Sequence, residues 1–162
     1  MKLASCELNG RSGHEAGRAL LEALYREATG LPLPPIVIGE WGKPGFVDSD
    51  WHFSISHTKM HAFCVLAREN VAIDAEELSR HMNLKLAEKI LSPMEKAQFD
   101  AAADKTKALL TFWVLKEAAA KLSGRGLRGY PSDTAFSLDD TRVREMDGCL
   151  VAILIEGETY AV

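Results

Sequence analysis

Phe112-Trp113-Val114-Leu115-Lys116-Glu117-Ala118-Ala119-Ala120-Lys121 is a run of strong helix formers that carries one acid and two bases among apolar residues. Glu117 and Lys121 are four apart and stack on one helix face, and Trp113, a turn earlier, continues that line. Upstream, Val71-Ala72-Ile73-Asp74-Ala75-Glu76 reads as an apolar strand bearing two carboxylates. Alternation along a strand sends Asp74 and Glu76 to one face and Ile73 and Ala75 to the other. Standing alone, the Glu117–Lys121 pair would be a solvated surface pair worth ~0.3–0.5 kcal/mol. Together with Asp74 and Glu76 on apolar elements, it points to a hard metal ion and a phosphate-bearing ligand.

Working outward, the long helix is expected from about Lys105 to Leu122, stopped by Ser123-Gly124, with a loop at Gly124-Arg125-Gly126. Before it, Leu84 to Leu91 reads as a helix. Ser92, Pro93 and Glu95 have the spacing of an N-cap, first-turn proline and capping box, and open a helix to about Ala103. Residues 14–29 form an amphipathic helix closed by Gly30. Leu31 to Pro35 is a linker, Ile36–Ile38 a short strand, and Gly42-Lys43-Pro44-Gly45 a turn. His52–Ser56 alternates, with Phe53 and Ile55 on one side and Ser54 and Ser56 on the other. His61–Ala67 is a more continuously apolar strand, and Arg68-Glu69-Asn70 turns into the strand from Val71. Strands follow at 135–138, 142–146, 150–156 and 159–162, with Asp147-Gly148 as a hairpin turn. The expectation is an α+β fold of two α/β halves, residues 1–70 and 71–162, without a visible sequence repeat.

Composition narrows the classes. The 162 residues, 47% of them hydrophobic, can bury an ordinary core. With 23 acidic against 19 basic side chains the net charge is −4, which argues against a nucleic-acid binder. Cys6, Cys64 and Cys149 have no metal-ligand spacing and read as reduced thiols, two of them small buried hydrophobes. No segment reaches the ~20 apolar residues of a membrane span or resembles a signal peptide, so the expectation is a soluble, cytoplasmic protein.

Asp74, Glu76 and Glu117 offer oxygen ligands only, a set that suits magnesium completed by substrate phosphate oxygens. The alternative is that Asp74 ends a strand and Glu76-Glu77 opens a solvated loop. Lys43 sits on a turn stiffened by Pro44 and can meet a phosphate, or is an ordinary exposed lysine. His57, after Ser56, can bind phosphate as a cation or accept a proton, or is a structural histidine. A Ser-His-Asp hydrolase is disfavoured: Ser56 and His57 are adjacent on a strand and point opposite ways, and no Gly-x-Ser-x-Gly elbow is present.

Gly42-Lys43-Pro44 to Phe46, Phe53-Ser-Ile-Ser56-His57-Thr58, Ala72-Ile-Asp74-Ala-Glu76 and Trp113 to Lys121, in that order, resemble the 4′-phosphopantetheinyl transferases of the long, surfactin-synthetase-activator type. Leu91-Ser-Pro93 with Glu95, and Gly124 to Leu127, match the connecting segments. The resemblance covers about residues 40–138. It implies two similar fused halves, a pseudo-dimer, with one site at their junction. It implies transfer of the phosphopantetheine arm of coenzyme A to a serine of an apo acyl or peptidyl carrier protein. By this resemblance Asp74, Glu76 and Glu117 hold Mg2+, and Lys121 neutralises the diphosphate. Lys43 and His57, with Ser56, hold the 3′-phosphate and its neighbours. Glu117 takes the serine proton, and Lys116 assists with phosphate charge. Asp74 lies mid-chain, after the Lys43 and His57 segments, so one chain carries both sides of a site and a monomer is expected. Ala72 stands where the family usually has glycine. The chain is short at both ends relative to the long type, and the family's N-terminal basic residues have no secure match, with Arg11, His14 and Arg18 the nearest candidates. Arg80, Lys85, Lys89 and Lys96, with Met82 and Leu84, form the expected carrier-docking segment. The competing readings are a non-catalytic relative that binds coenzyme A or a carrier, and an unrelated magnesium phosphohydrolase.

Overall fold

A computed structural model describes residues 1–124 and 135–157. Strand β1 (Lys2–Glu7) leads to helix α1 (Gly13–Thr29), the short strands β2 (Ile36–Ile38) and β3 (Pro44–Phe46), then β4 (His52–His57), β5 (His61–Ala67) and β6 (Val71–Glu77). A 3₁₀ turn at Leu84–Leu86 runs into α2 (Ala87–Ile90), and α3 (Pro93–Ala101), α4 (Lys105–Ser123), β7 (Val143–Met146) and β8 (Cys149–Ile155) follow. The fold is mixed α+β, as expected.

Two antiparallel sheets have the same internal order. In one the strands run β1-β5-β4, in the other β6-β8-β7, and β2 and β3 form a separate hairpin. In each sheet the first strand of the set pairs with the last, which lies in the centre. Alternation then sorts the side chains. Leu21, Leu24 and Tyr25 of α1 pack on Phe53, Cys64 and Leu66. The opposite face of that sheet, with Phe63, Val65 and Ala67, packs against Val71, Ile73, Ala75, Val151 and Ile153 of the second sheet. The far face of the second sheet, with Ala72, Leu150, Ala152 and Leu154, is covered by Phe112, Leu115 and Ala118 of α4. The result is a helix–sheet–sheet–helix stack, with β6 and β8 buried on both faces.

Local chemistry explains the boundaries. Ser12 and Glu15 form a capping box at the start of α1, and Gly30 ends it in the left-handed region at φ 72°. Ser92 and Glu95 do the same for α3 with Pro93 in its first turn, as the spacing predicts. Asp147 and Gly148 both have positive φ, the condition for a two-residue hairpin loop between β7 and β8.

Other expectations are corrected. Strand β1 was not anticipated, because a short, half-buried sheet-edge strand carries little alternation. Part of the Gly42–Gly45 turn is strand β3, opened by Pro44, where a missing N–H is tolerated. Residues 135–138 are not a strand. The N–H of Phe136 donates to Glu95 Oε1 at 3.1 Å and that of Leu138 to Gln98 Oε1 at 2.9 Å, so α3 side chains take the place of a strand ladder. The helix expected over 84–91 is split into a 3₁₀ turn and one α-turn. The loop residues 125–127 and the strand expected at 159–162 lie outside the described residues.

Lys116, expected beside the phosphates, lies on the other side of α4. It is 6% exposed, and its ammonium pairs with Glu95 at 2.8 Å and lies 5.9 Å from the Phe136 ring centroid. Glu95 is fully buried and accepts from Ser92 N at 2.7 Å as well as from Phe136 N. The pair therefore ties α4, the start of α3 and residue 136 together, and it places Lys116 outside the site. Removing one partner strands a buried charge. Glu95→Ala is expected to cost ~3–5 kcal/mol in urea unfolding, and Glu95→Leu combined with Lys116→Met to recover only the part due to the stranded charge, because the N–H groups of Ser92 and Phe136 still lose their acceptor.

Candidate active site

The edge strands β4 and β6 of the two sheets lie side by side where α4 crosses the second sheet. β4 turns Phe53 and Ile55 toward α1 and Ser56 toward β6. β6 turns Ile73 and Ala75 into the space between the sheets and leaves Asp74 and Glu76 facing α4. The helix answers with Trp113, Glu117 and Lys121 on successive turns, as their spacing predicts.

Lys121 Nζ donates to Asp74 Oδ1 at 2.7 Å, to Ser56 Oγ at 3.2 Å and to Ile73 O at 3.1 Å. Ser56 Oγ donates to Asp74 Oδ1 at 3.1 Å and accepts from Ala75 N at 3.2 Å. With one donor and two lone pairs all used, the Ser56 hydroxyl is spent inside the protein, and it orients Asp74 and Lys121. Asp74 Oδ2 is buried and has no hydrogen-bond partner among the described residues. Glu76 Oε1 accepts from Trp113 Nε1 at 3.2 Å and from the Arg80 guanidinium, which lies 5.4 Å from the Trp113 ring centroid. Burial, and then the charge of Asp74, push the Glu117 carboxyl above the ordinary carboxylate range, while Lys121 and Arg80 oppose them.

This donor set fits a hard divalent cation. A buried carboxylate oxygen without a donor, beside a second carboxylate whose ionisation it disfavours, is a deficit that a cation cancels. Asp74 Oδ2 and Glu117 are the oxygens that would hold it. Glu76 has one oxygen committed to Arg80 and Trp113 and can offer only the other. Among the described residues, no group of three or more His, Cys, Asp or Glu side chains is gathered into a ready-made metal cluster.

Two clefts flank Glu117 and Lys121. One, of about 300 Å³, is lined by Trp41, Lys43, Pro44, Phe53 and Gly124 in addition to that pair. The other is bordered by Ser56, His57, Asp74, Glu76 and Trp113. His57 is exposed at the end of β4, and its ring lies over the first turn of α1. A Cβ on Gly13 would fall 2.3 Å from the His57 Cγ, so only glycine leaves room for the imidazole there. Lys43 lines the first cleft, and its ammonium donates to Asn70 Oδ1 at 2.5 Å and Leu122 O at 3.1 Å. Burial lowers its pKa.

In the expected carrier-docking segment, Arg80 is committed to Glu76, and Lys96 pairs with Asp100 at 2.6 Å and Glu88 at 3.3 Å. Lys85 and Lys89 have no ion pair among the described residues, and Met82 is core, not surface. Sequence reasoning missed the Arg80 contact to Glu76, the contact of Gly13 with His57, and Asn70 as a partner of Lys43. Arg80 carried a signal, four residues after Glu76, but the element there was read as a strand running into a loop.

Residues 70–159 match the family described as the 4'-phosphopantetheinyl transferase superfamily. The chain is 30% identical over 132 residues to the 4'-phosphopantetheinyl transferase gsp of Aneurinibacillus migulanus, a match covering 79% of this chain and 54% of that protein. It is 34% identical over 114 residues to the 4'-phosphopantetheinyl transferase AcpT of Escherichia coli O157:H7, covering 67% and 56%. The chain belongs to the 4'-phosphopantetheinyl transferase superfamily. It spans about half the length of the curated relatives it matches.

Because Glu117's folded-state pKa is raised above the ordinary value of 4.5, its ionised form weakens the fold at higher pH, and the penalty fades as pH falls through the raised folded value and is gone below 4.5. In EDTA at pH 7, Glu117→Gln is expected to melt at a higher temperature than wild type, with the gap closing as pH falls through the carboxylate range. Gly13→Ala is expected to lower the melting temperature by displacing the His57 ring. The same change in a His57→Ala background should stabilise by up to about 1 kcal/mol, the ordinary helix gain. Melting curves of the four variants check both signs.

Proposed function

We propose that this chain transfers the 4′-phosphopantetheine arm of coenzyme A to a serine of an apo acyl or peptidyl carrier protein, releasing adenosine 3′,5′-bisphosphate. The observation that carries this reading is the convergence of Asp74, Glu117, Lys121 and Ser56 at one cleft, on the elements where the family motifs place them. In this reading Lys121 neutralises the coenzyme A diphosphate and His57 faces the 3′-phosphate. Glu117 accepts the serine proton, directly or through a water. The serine oxygen forms its bond to the β-phosphorus as the diphosphate bridge breaks, and the electron pair leaves on the bisphosphate. Asp74 and Glu117, with the remaining oxygen of Glu76, would hold Mg2+, which supplies charge stabilisation to the diphosphate when bound. Burial and the charge of Asp74 raise Glu117's proton affinity above that of an ordinary carboxylate, the direction that favours a proton acceptor.

We read residues 1–70 and 71–162 as two similar halves fused into a pseudo-dimer. The matching strand orders of the two sheets support this, as does the turn at Arg68–Asn70 between them. The reading implies a cytoplasmic monomer with one site at the junction. Lys85 and Lys89 are the lysines with which it would meet an acidic carrier surface.

The test is to incubate the protein with apo carrier, coenzyme A and magnesium and to weigh the carrier. A phosphopantetheine mass gain is expected, and Glu117→Gln should lower turnover by about 10²–10⁴ at saturating magnesium. Carrier binding without a mass gain would mark a non-catalytic relative, and diphosphate cleavage without carrier a phosphohydrolase. Near-wild-type turnover by Glu117→Gln would remove Glu117 from the chemistry.

A further inference from the structure

The Lys43 ammonium does not project from its turn into open solvent. It sits where the end of α4, the turn between β5 and β6, and the β2–β3 hairpin come together. It donates to Asn70 Oδ1 at 2.5 Å and to Leu122 O at 3.1 Å, and Asn70 Nδ2 donates to the same Leu122 carbonyl at 3.1 Å. Asn70 is itself held from behind, because its backbone carbonyl accepts from Glu156 N at 2.8 Å. Leu122 O is one of the last carbonyls of a 19-residue helix, which have no partner within the helix and carry its negative end. A cation and an amide therefore close the C-terminus of α4 together. The Lys43 stem packs beside Gly124, where a Cβ would lie 3.7 Å from its Cδ. Lys121, which holds Asp74, is the residue next to Leu122.

We infer that Lys43 is a positioning residue rather than a ligand of substrate phosphate: with Asn70 it clamps the C-terminal end of α4 to the turn between β5 and β6, and so fixes where Lys121 meets Asp74. A lysine that bound phosphate would present a solvated, unpaired ammonium to the cleft. This one is half-buried, spends two of its three donors on protein oxygens, and packs its stem beside Gly124. Burial lowers the proton affinity of this ammonium, and the charge of Glu156 partly opposes that. Pro44 stiffens the turn, and Gly42, at φ 85°, takes the left-handed conformation the turn requires, so the side chain is delivered to one place.

The kinetic arm of the test rests on the coenzyme A reading, and the unfolding arm does not. The variants are Lys43→Met, Asn70→Ala, the double variant, Lys43→Arg and His57→Ala. Each is measured by urea unfolding and by transfer to apo carrier from coenzyme A and from 3′-dephospho-coenzyme A. A clamp predicts that the double variant is little less stable than either single one, because both break the same junction. It predicts that Lys43→Arg loses stability too, since a planar guanidinium does not fit a site built for an ammonium. Lys43→Met should lower kcat about 10- to 100-fold with both donors alike and leave the preference for the 3′-phosphate within about twofold of wild type. His57→Ala should collapse that preference. The inference is overturned if Lys43→Met drives the preference toward unity, or if the two single losses of stability simply add. Should Lys43→Met fail to fold, Asn70→Ala decides. A clamp predicts a lower kcat with an unchanged preference, whereas a phosphate-binding Lys43, freed from Asn70, would raise coenzyme A affinity. Wild-type protein that transfers from neither donor would refute the proposed function and leave the unfolding cycle to judge the clamp.

Discussion

The Asp74–Lys121 pair, with Ser56 between its members, is the contact on which the rest of the site depends. It joins three elements from different parts of the chain: β4, β6 and α4. Asp74 is nearly sealed, its side chain 9% exposed, and the Lys121 side chain is 34% exposed. Such a pair recovers its desolvation cost only if the remaining donors and acceptors are met. On one side they are, because Lys121 spends donors on Asp74, Ser56 and Ile73 O. On the other they are not, because Asp74 Oδ2 has no partner among the described residues. The deficit lies on the side of Asp74 turned away from Lys121 Nζ, at the oxygen the proposed function assigns to a cation.

α4 delivers opposite chemistry from two neighbouring positions. Glu117 faces the cleft, half-buried and short of counter-charge, while Lys116 is turned into the protein against Glu95. The apolar residues Phe112, Leu115 and Ala118 fix the rotation of the helix over the second sheet, and the Lys116–Glu95 pair fixes it again toward α3. The side chains of the site are therefore held by contacts that do not line it.

Much of this was legible in the sequence because it is periodic. The i, i+4 spacing of Glu117 and Lys121 and the strand alternation of Asp74 and Glu76 are statements about backbone geometry, and a helix or strand enforces them locally. The Ser92–Glu95 capping box is local in the same way. What could not be read depends on contacts between distant elements. Lys116 and Glu117 look alike as polar residues on a helix, and only the position of α3 says which is buried. Lys43 reads as an exposed turn lysine until Asn70 and the end of α4 are placed around it. Gly13 carries no signal at all, since the reason for its missing side chain is an imidazole on another element. The irregular path at 135–138 was concealed because Glu95 and Gln98 supply acceptors that a strand neighbour would otherwise provide.

The back-to-back placement of Lys116 and Glu117 also sets what evolution can do with this helix. Single substitutions along α4 alter one contact at a time. An insertion or deletion of one residue between Leu115 and Glu117 would rotate everything downstream by about 100° relative to the upstream turns. That shift would carry Glu117 and Lys121 away from the cleft while Phe112 and Leu115 stayed in register with the sheet. The helix should therefore hold its length across divergence far more strictly than its composition, and length variation should be displaced into the loops at its ends.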